Sequence, residues 1–167
     1  MNAIFSIQNL SCSYSLKPEE EVLHIQNLEI PKGKLIFLLG ASGSGKSTLL
    51  ETLGLMNNTI AGGSIDFHPG ETISLQKLWQ ENDQSALAEV RKKHFSFIFQ
   101  NTNLMENFTA YENVCLSRMI KENVTQEEVL EGAKTLMRKV KLPENEVGLT
   151  SLAVNLSGGQ RQRVAFV

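Results

Sequence analysis

Gly40, Gly45, Lys46 and Ser47 stand at the spacing G-x-x-x-x-G-K-S, and the residues between them, Ala41, Ser42, Gly43 and Ser44, are all small. Glycines here let the backbone take positive φ angles and wrap closely. Successive N–H groups then face one concavity at the start of a helix, which is an anion site. Lys46 adds a cation; a unit-charge contact at 4 Å is worth about 4 kcal/mol at an effective dielectric of 20, before desolvation. The Ser47 hydroxyl is an oxygen ligand of the kind Mg2+ takes. Together these residues predict a loop that holds the phosphates of ATP with Mg2+. The plain alternative is a glycine-rich turn before a helix. At average glycine usage, a chance match in a chain this long arises about once in a hundred.

A second glycine cluster, Leu156-Ser157-Gly158-Gly159-Gln160, lies far downstream. Ser157 and Gln160 have the spacing of a capping box, which would start a helix for stability alone. Glycines in a first turn weaken a helix by about 1 kcal/mol each relative to alanine, so a purely structural start does not need two of them. They allow close approach of a ligand to bare N–H groups and to the positive end of the helix. Ser157, Gly158, Gly159 and Gln160 therefore read as a second phosphate contact.

The elements around these clusters must position them. Lys34–Leu39 (KLIFLL) is a short apolar run bounded by glycines, and predicts a strand buried on both faces. Leu49, Leu50, Leu53 and Met56 follow the loop at helical spacing. Near-alternating Ala3–Leu10 and the stretch Val22–Ile30 predict strands, with Pro18-Glu19-Glu20-Glu21 an exposed acidic loop between them. Gly62-Gly63 predicts a turn before a strand at Ile65 and Phe67, and His94–Phe99 (HFSFIF) a further strand. The polar stretch 69–91 shows no clear period, with a helix possible around Ala86–Arg91. Thr109-Ala110-Tyr111-Glu112 and Thr125-Gln126-Glu127-Glu128 carry capping-box spacing, and the second predicts a helix to about Val140 before Pro143. The predicted class is α/β.

With 167 residues, one domain is the natural expectation, and the net charge of −2 argues against a generic nucleic-acid binder. No apolar run approaches the roughly 20 residues of a membrane helix, and no leader pattern opens the chain. Cys12 and Cys115 are isolated and read as buried thiols of a reducing compartment. His24, His68 and His94 have no metal-ligand spacing and read as structural. Arg91-Lys92-Lys93 reads as a solvated or strand-flanking cluster.

Both glycine clusters, in this order, resemble the nucleotide-binding subunit of ABC (ATP-binding cassette) transporters. Gly40 to Leu50, with Thr48 directly after the lysine–serine pair, is similar to that family's Walker A segment. Leu156–Gln160, continued by Arg161-Gln162-Arg163-Val164-Ala165, is similar to its signature motif. Phe97-Ile98-Phe99-Gln100 resembles the strand end carrying its Q-loop glutamine, and Tyr14 falls where its adenine-stacking aromatic sits. The order of elements resembles the lipoprotein-release, macrolide-export and cell-division group.

What the resemblance implies is a P-loop core with an N-terminal antiparallel β subdomain and a helical subdomain. Residues 1–100 would be the β-rich and P-loop part, 101–157 the helical subdomain and 158–167 the start of the signature helix. Lys46 and Gln100 would be catalytic, and Ser47 and Gln100 would attend the magnesium. ATP would lie between the phosphate loop of one subunit and the signature of a second copy. The homodimer would work on transmembrane permease subunits from the cytoplasmic face of the cell membrane, with Leu104–Asn113 in a coupling role. The family pattern continues with an Asp, a catalytic Glu and a switch His, none of which follows Gln160 in these 167 residues. Hydrolysis by this stretch alone is therefore not expected, and its apolar sheet surface is expected to lack cover. A nucleotide-binding remnant without hydrolysis is the alternative reading. A chromosome-maintenance ATPase is disfavoured, because only 56 residues separate Gln100 from Ser157, without sustained heptads.

Overall fold

The computed structural model describes residues 2–14, 17–99, 101–145, 147 and 151–167. They fall into two compact units, Met1–Ser96 and Phe97–Val167. The first is built on a four-stranded antiparallel sheet, in the order β2 (Lys17–Pro31), β1 (Ala3–Tyr14), β3 (Ile60–Phe67) and β4 (Ile73–Ser74). Alternation sets the register. Ile7 stands opposite Leu28 on β2 and Ile65 on β3, so one apolar face is continuous across three strands. Helix α1 (Lys46–Leu53) buries Leu49 and Leu53 in the same core, which also takes in Leu75 of α2 (Leu75–Gln80) and Leu87 of α3 (Gln84–His94).

Several expectations change here. The acidic stretch Glu19–Glu21 is not a loop but part of β2, paired with the end of β1. Gly62 and Gly63 lie inside β3 rather than in a turn before it. Gly63 has φ +79° where the β1–β3 register slips, and a Cβ there would sit 2.2 Å from the Asn9 carbonyl oxygen. Only glycine fits that bulge. The polar stretch 69–91 holds two helices, and Asp83 caps α3 by accepting from the N–H groups of Ser85 and Ala86.

The largest correction concerns Lys34–Leu39 and His94–Phe99. Neither forms a strand. His94 closes α3, and Phe95 packs near Phe67 with ring centroids 5.1 Å apart. Leu35, Phe37 and Leu39 are 81%, 76% and 86% exposed. A continuous apolar run becomes a doubly buried strand only when strands flank both edges and layers cover both faces. Among the described residues, no strand pairs with either run.

The second unit is helical, with α4 (Ala110–Glu122), α5 (Gln126–Lys139), a 3-10 turn (Ala153–Asn155) and α6 (Gly158–Phe166). Tyr111 and Cys115 of α4 pack with Val129, Ala133 and Met137 of α5. All three predicted capping boxes are formed, at Thr109–Glu112, Thr125–Glu128 and Ser157–Gln160. Cys12 and Cys115 are buried free thiols, and burial pushes both upward in pKa. No helix among the described residues is long and apolar enough to cross a membrane.

Two tests follow from this architecture. The 167-residue chain is expected to bind the dye ANS strongly, and replacing Leu35, Phe37 and Leu39 together by serine should remove much of that fluorescence. The second concerns acid. The Thr109 backbone N–H, then its hydroxyl, hold the Glu112 carboxyl below the usual glutamate range, and Thr125 does the same for Glu128. A lowered folded-state pKa contributes stability above the unfolded value of about 4.3, and that stability is lost as pH falls through the folded value. The far-UV circular dichroism of α4 and α5 should weaken below about pH 4, and the double variant Glu112→Gln/Glu128→Gln should lose less on acidification.

Candidate functional site

The phosphate loop closes on itself through its lysine. The Lys46 ammonium donates to the carbonyls of Gly40 at 2.9 Å and Ala41 at 2.5 Å, and to the Ser44 hydroxyl at 3.3 Å. Gly45 caps α1 at φ +81°, with no side-chain hydrogen bond to the first turn. Its missing Cβ matters, because one would lie 2.9 Å from the Val22 carbonyl oxygen and 3.1 Å from Leu23 of β2. The loop therefore presses directly on the sheet, and the N–H groups of the first turn stay free for an anion.

A cleft of about 430 Å3 opens there, walled by Tyr14, Val22, Ser42, Gly43, Gly45, Lys46, Ser47 and Thr48. That is within the usual range of ligand pockets, about 300 to 1,000 Å3. Tyr14 is 39% exposed, and its hydroxyl shares a hydrogen bond of 3.0 Å with the Thr48 hydroxyl. Gly40, Ala41 and Ser44 lie outside the cleft wall but hold the ammonium. Tyr14 and the whole loop from Gly40 to Thr48 are thus brought together in the first unit. The Ser47 hydroxyl is exposed at the second position of α1. One protein hydroxyl fits Mg2+, which keeps most of its shell as water and phosphate oxygens. Gln100 lies outside the described residues.

In the second unit the start of α6 is built differently. The Gln160 N–H donates to the Ser157 hydroxyl at 3.3 Å, and the Gln160 side-chain oxygen accepts from the Ser157 N–H at 2.9 Å. Among the described residues, none packs closely enough to require glycine at 158 or 159. Of the described residues, a Cβ at Gly158 would meet none within 4 Å, and one at Gly159 only the Arg163 guanidinium at 4.0 Å.

The ABC transporter family profile matches residues 23–167. The chain belongs to the ABC transporter ATP-binding family. It is 34% identical to the lipoprotein-releasing system ATP-binding protein LolD of Francisella tularensis, over 99% of this chain and 67% of that protein. It is 40% identical to the macrolide export ATP-binding/permease protein MacB of Aggregatibacter actinomycetemcomitans, over 87% of this chain and 21% of that protein. The dimeric ATP-binding cassette MJ0796, solved in a post-hydrolysis state with ADP and Pi, superposes with a TM-score of 0.79 at 31% identity. That match covers 96% of this chain and 66% of the cassette. The chain thus spans about two thirds of the length of LolD and of that cassette. The α/β cassette fold and the kinship with lipoprotein-release and macrolide-export ATP-binding proteins are as the motifs implied, and the chain is an ABC-type ATPase by family.

Sequence reasoning missed the groups that hold α1 in place. Arg91, read as part of a solvated or strand-flanking cluster, is half-buried and donates to the Leu55 carbonyl at 2.9 Å. Leu55 has φ +59°, just past the end of α1, where a guanidinium also complements the helix dipole. Val22, a wall of the cleft, gave no signal of its own. His68 sits between the hydroxyls of Ser6 at 3.1 Å and Thr72 at 2.9 Å. His94 meets the Phe67 ring edge-on, and His24 lies 3.5 Å from Glu21. Among the described residues no three His, Cys, Asp or Glu side chains form a metal cluster.

Replacing Arg91 by alanine should lower stability by about 1.5 kcal/mol, as for a hydrogen bond from a charged donor. A reduced urea midpoint, with partial recovery in Arg91→Lys, is the expected result.

Proposed function

We propose that the loop from Gly40 to Ser47, with Thr48, binds Mg2+-ATP as one half of a composite site. The observation that carries this reading is the Lys46 ammonium, held among three oxygens of its own loop beside a cleft walled by the first turn of α1. A cation held in the loop beside that cleft supports phosphate binding there. Tyr14, half open at the cleft, offers an aromatic face for the base. Ser47 would hold the Mg2+, and Gln100 is assigned to the same ion and the attacking water by resemblance. Mg2+ held there would neutralise charge on the nucleotide's phosphates.

The other half of the site is Ser157, Gly158, Gly159 and Gln160 of a second copy. Two glycines that packing among the described residues does not require, at a helix start they weaken, support contact with something outside this chain. ATP would then join two subunits, and the joined state would act on transmembrane permease subunits at the cytoplasmic face of the membrane. No nucleic acid partner is proposed. In the second unit a groove of about 600 Å3 runs along Asn101–Leu104, Glu106 and Val154 to Gly158 and Arg161, and offers a surface for the permease. In this reading residues 1–100 carry the nucleotide, 101–157 the helical subdomain and 158–167 the opening of the signature helix.

Titration of the chain with Mg2+-ATP tests the assignment of the loop. Lys46→Ala should abolish measurable binding, and an unchanged affinity would overturn it.

A further inference from the structure

We infer that Thr48 is a positioning residue for the nucleobase: its hydroxyl holds the Tyr14 ring in place at the mouth of the phosphate cleft. The inference rests on the ATP-binding reading of that cleft. Tyr14 closes β1 and Thr48 lies in the first turn of α1, 34 residues away, yet their hydroxyls are 3.0 Å apart. Thr48 is buried and Tyr14 is 39% exposed, so the fixed partner is the threonine and the held one is the ring.

Further polar contacts fix the same strand end to the same helix. The Ser13 N–H donates to the Thr59 carbonyl at 2.9 Å. The Thr52 hydroxyl donates to the Thr48 carbonyl at 2.6 Å, and it also meets the Thr59 hydroxyl. A hydroxyl has one proton, so with that of Thr52 on Thr48 it is Thr59 that donates to Thr52. Thr48 and Thr52 are four residues apart and share one helix face. Strand end and helix are thus joined at two successive turns. Thr52 and Thr59 are fully buried, and Thr52 lies in the interior of an otherwise apolar core beside Leu49 and Leu53.

The consequence is a fixed span between base platform and phosphate nest. The backbone N–H of Thr48 belongs to the first turn, whose donors are free for phosphate, while its side chain holds the ring. A ring already ordered before binding spares the nucleotide the cost of ordering it. Inorganic triphosphate carries no base and gains nothing from the ring. The Tyr14–Thr48 bond should therefore appear in the ratio of ATP to triphosphate affinity, and a general loosening of the loop would lower both together.

Calorimetric titration of the 167-residue chain with Mg2+-ATP and with Mg2+-triphosphate reads that ratio. In Tyr14→Phe, which keeps the ring, and in Thr48→Val, the ratio should fall about three- to tenfold, as for one hydrogen bond. Thr48→Ser, which keeps the hydroxyl, should restore it. The double variant Tyr14→Phe/Thr48→Val should be no lower than either single, because each removes the same bond. An unchanged ratio in Tyr14→Phe, or losses that multiply in the double variant, would overturn the inference while leaving the ATP site standing. If Thr48→Val does not fold, Tyr14→Phe and Thr48→Ser decide. Failure of the wild-type chain to bind ATP would overturn the site reading and the inference with it.

Discussion

Helix α1 has eight residues, and a helix that short does not persist in water by itself. Its anchoring is the constraint on which the site depends. At its start, Gly45 lies against Val22 and Leu23 of β2 with no room for a side chain. Along its buried face, Leu49 and Leu53 enter the sheet core, while Thr48 and Thr52 hydrogen-bond to Tyr14 and Thr59. Just past its end, Arg91 holds the Leu55 carbonyl. A nest of N–H groups binds an anion only while those groups keep converging, and here the sheet makes them do so.

The two helix starts proposed above to meet phosphate are built differently. α1 begins at a left-handed glycine that offers no side chain to cap its first turn. α6 begins with a complete capping box, in which Ser157 and Gln160 satisfy each other. Its start is therefore stable without a ligand, and two unobstructed glycines leave the adjacent backbone approachable. In the two-copy site proposed above, such a self-supporting start would be the half that the second copy contributes.

The starts of the later helices were legible in the sequence. Each capping box is a contact between residues three apart, so Thr109–Glu112, Thr125–Glu128 and Ser157–Gln160 could be read from spacing. The phosphate loop is equally local. What misled was the pair of apolar runs at Lys34–Leu39 and His94–Phe99. Their composition says only that they want burial; strand formation needs neighbours on both edges, and no described segment supplies them. Arg91 misled in the opposite sense. Three basic residues in a row suggested solvent, yet one of them turns inward to a carbonyl 36 residues away.

The sequence by itself determined the family and the starts of the later helices, because glycine spacing, a lysine–serine pair and capping pairs act over a few residues. Only the tertiary structure decided how Tyr14 meets Thr48, why Gly45 admits no side chain, where Arg91 spends its charge and which apolar runs stay uncovered. Those depend on groups far apart in the chain brought within about 3 Å, the range in which a hydrogen bond or a steric clash acts. No pattern along the chain encodes such a distance; the register of the sheet and the seating of α1 upon it do.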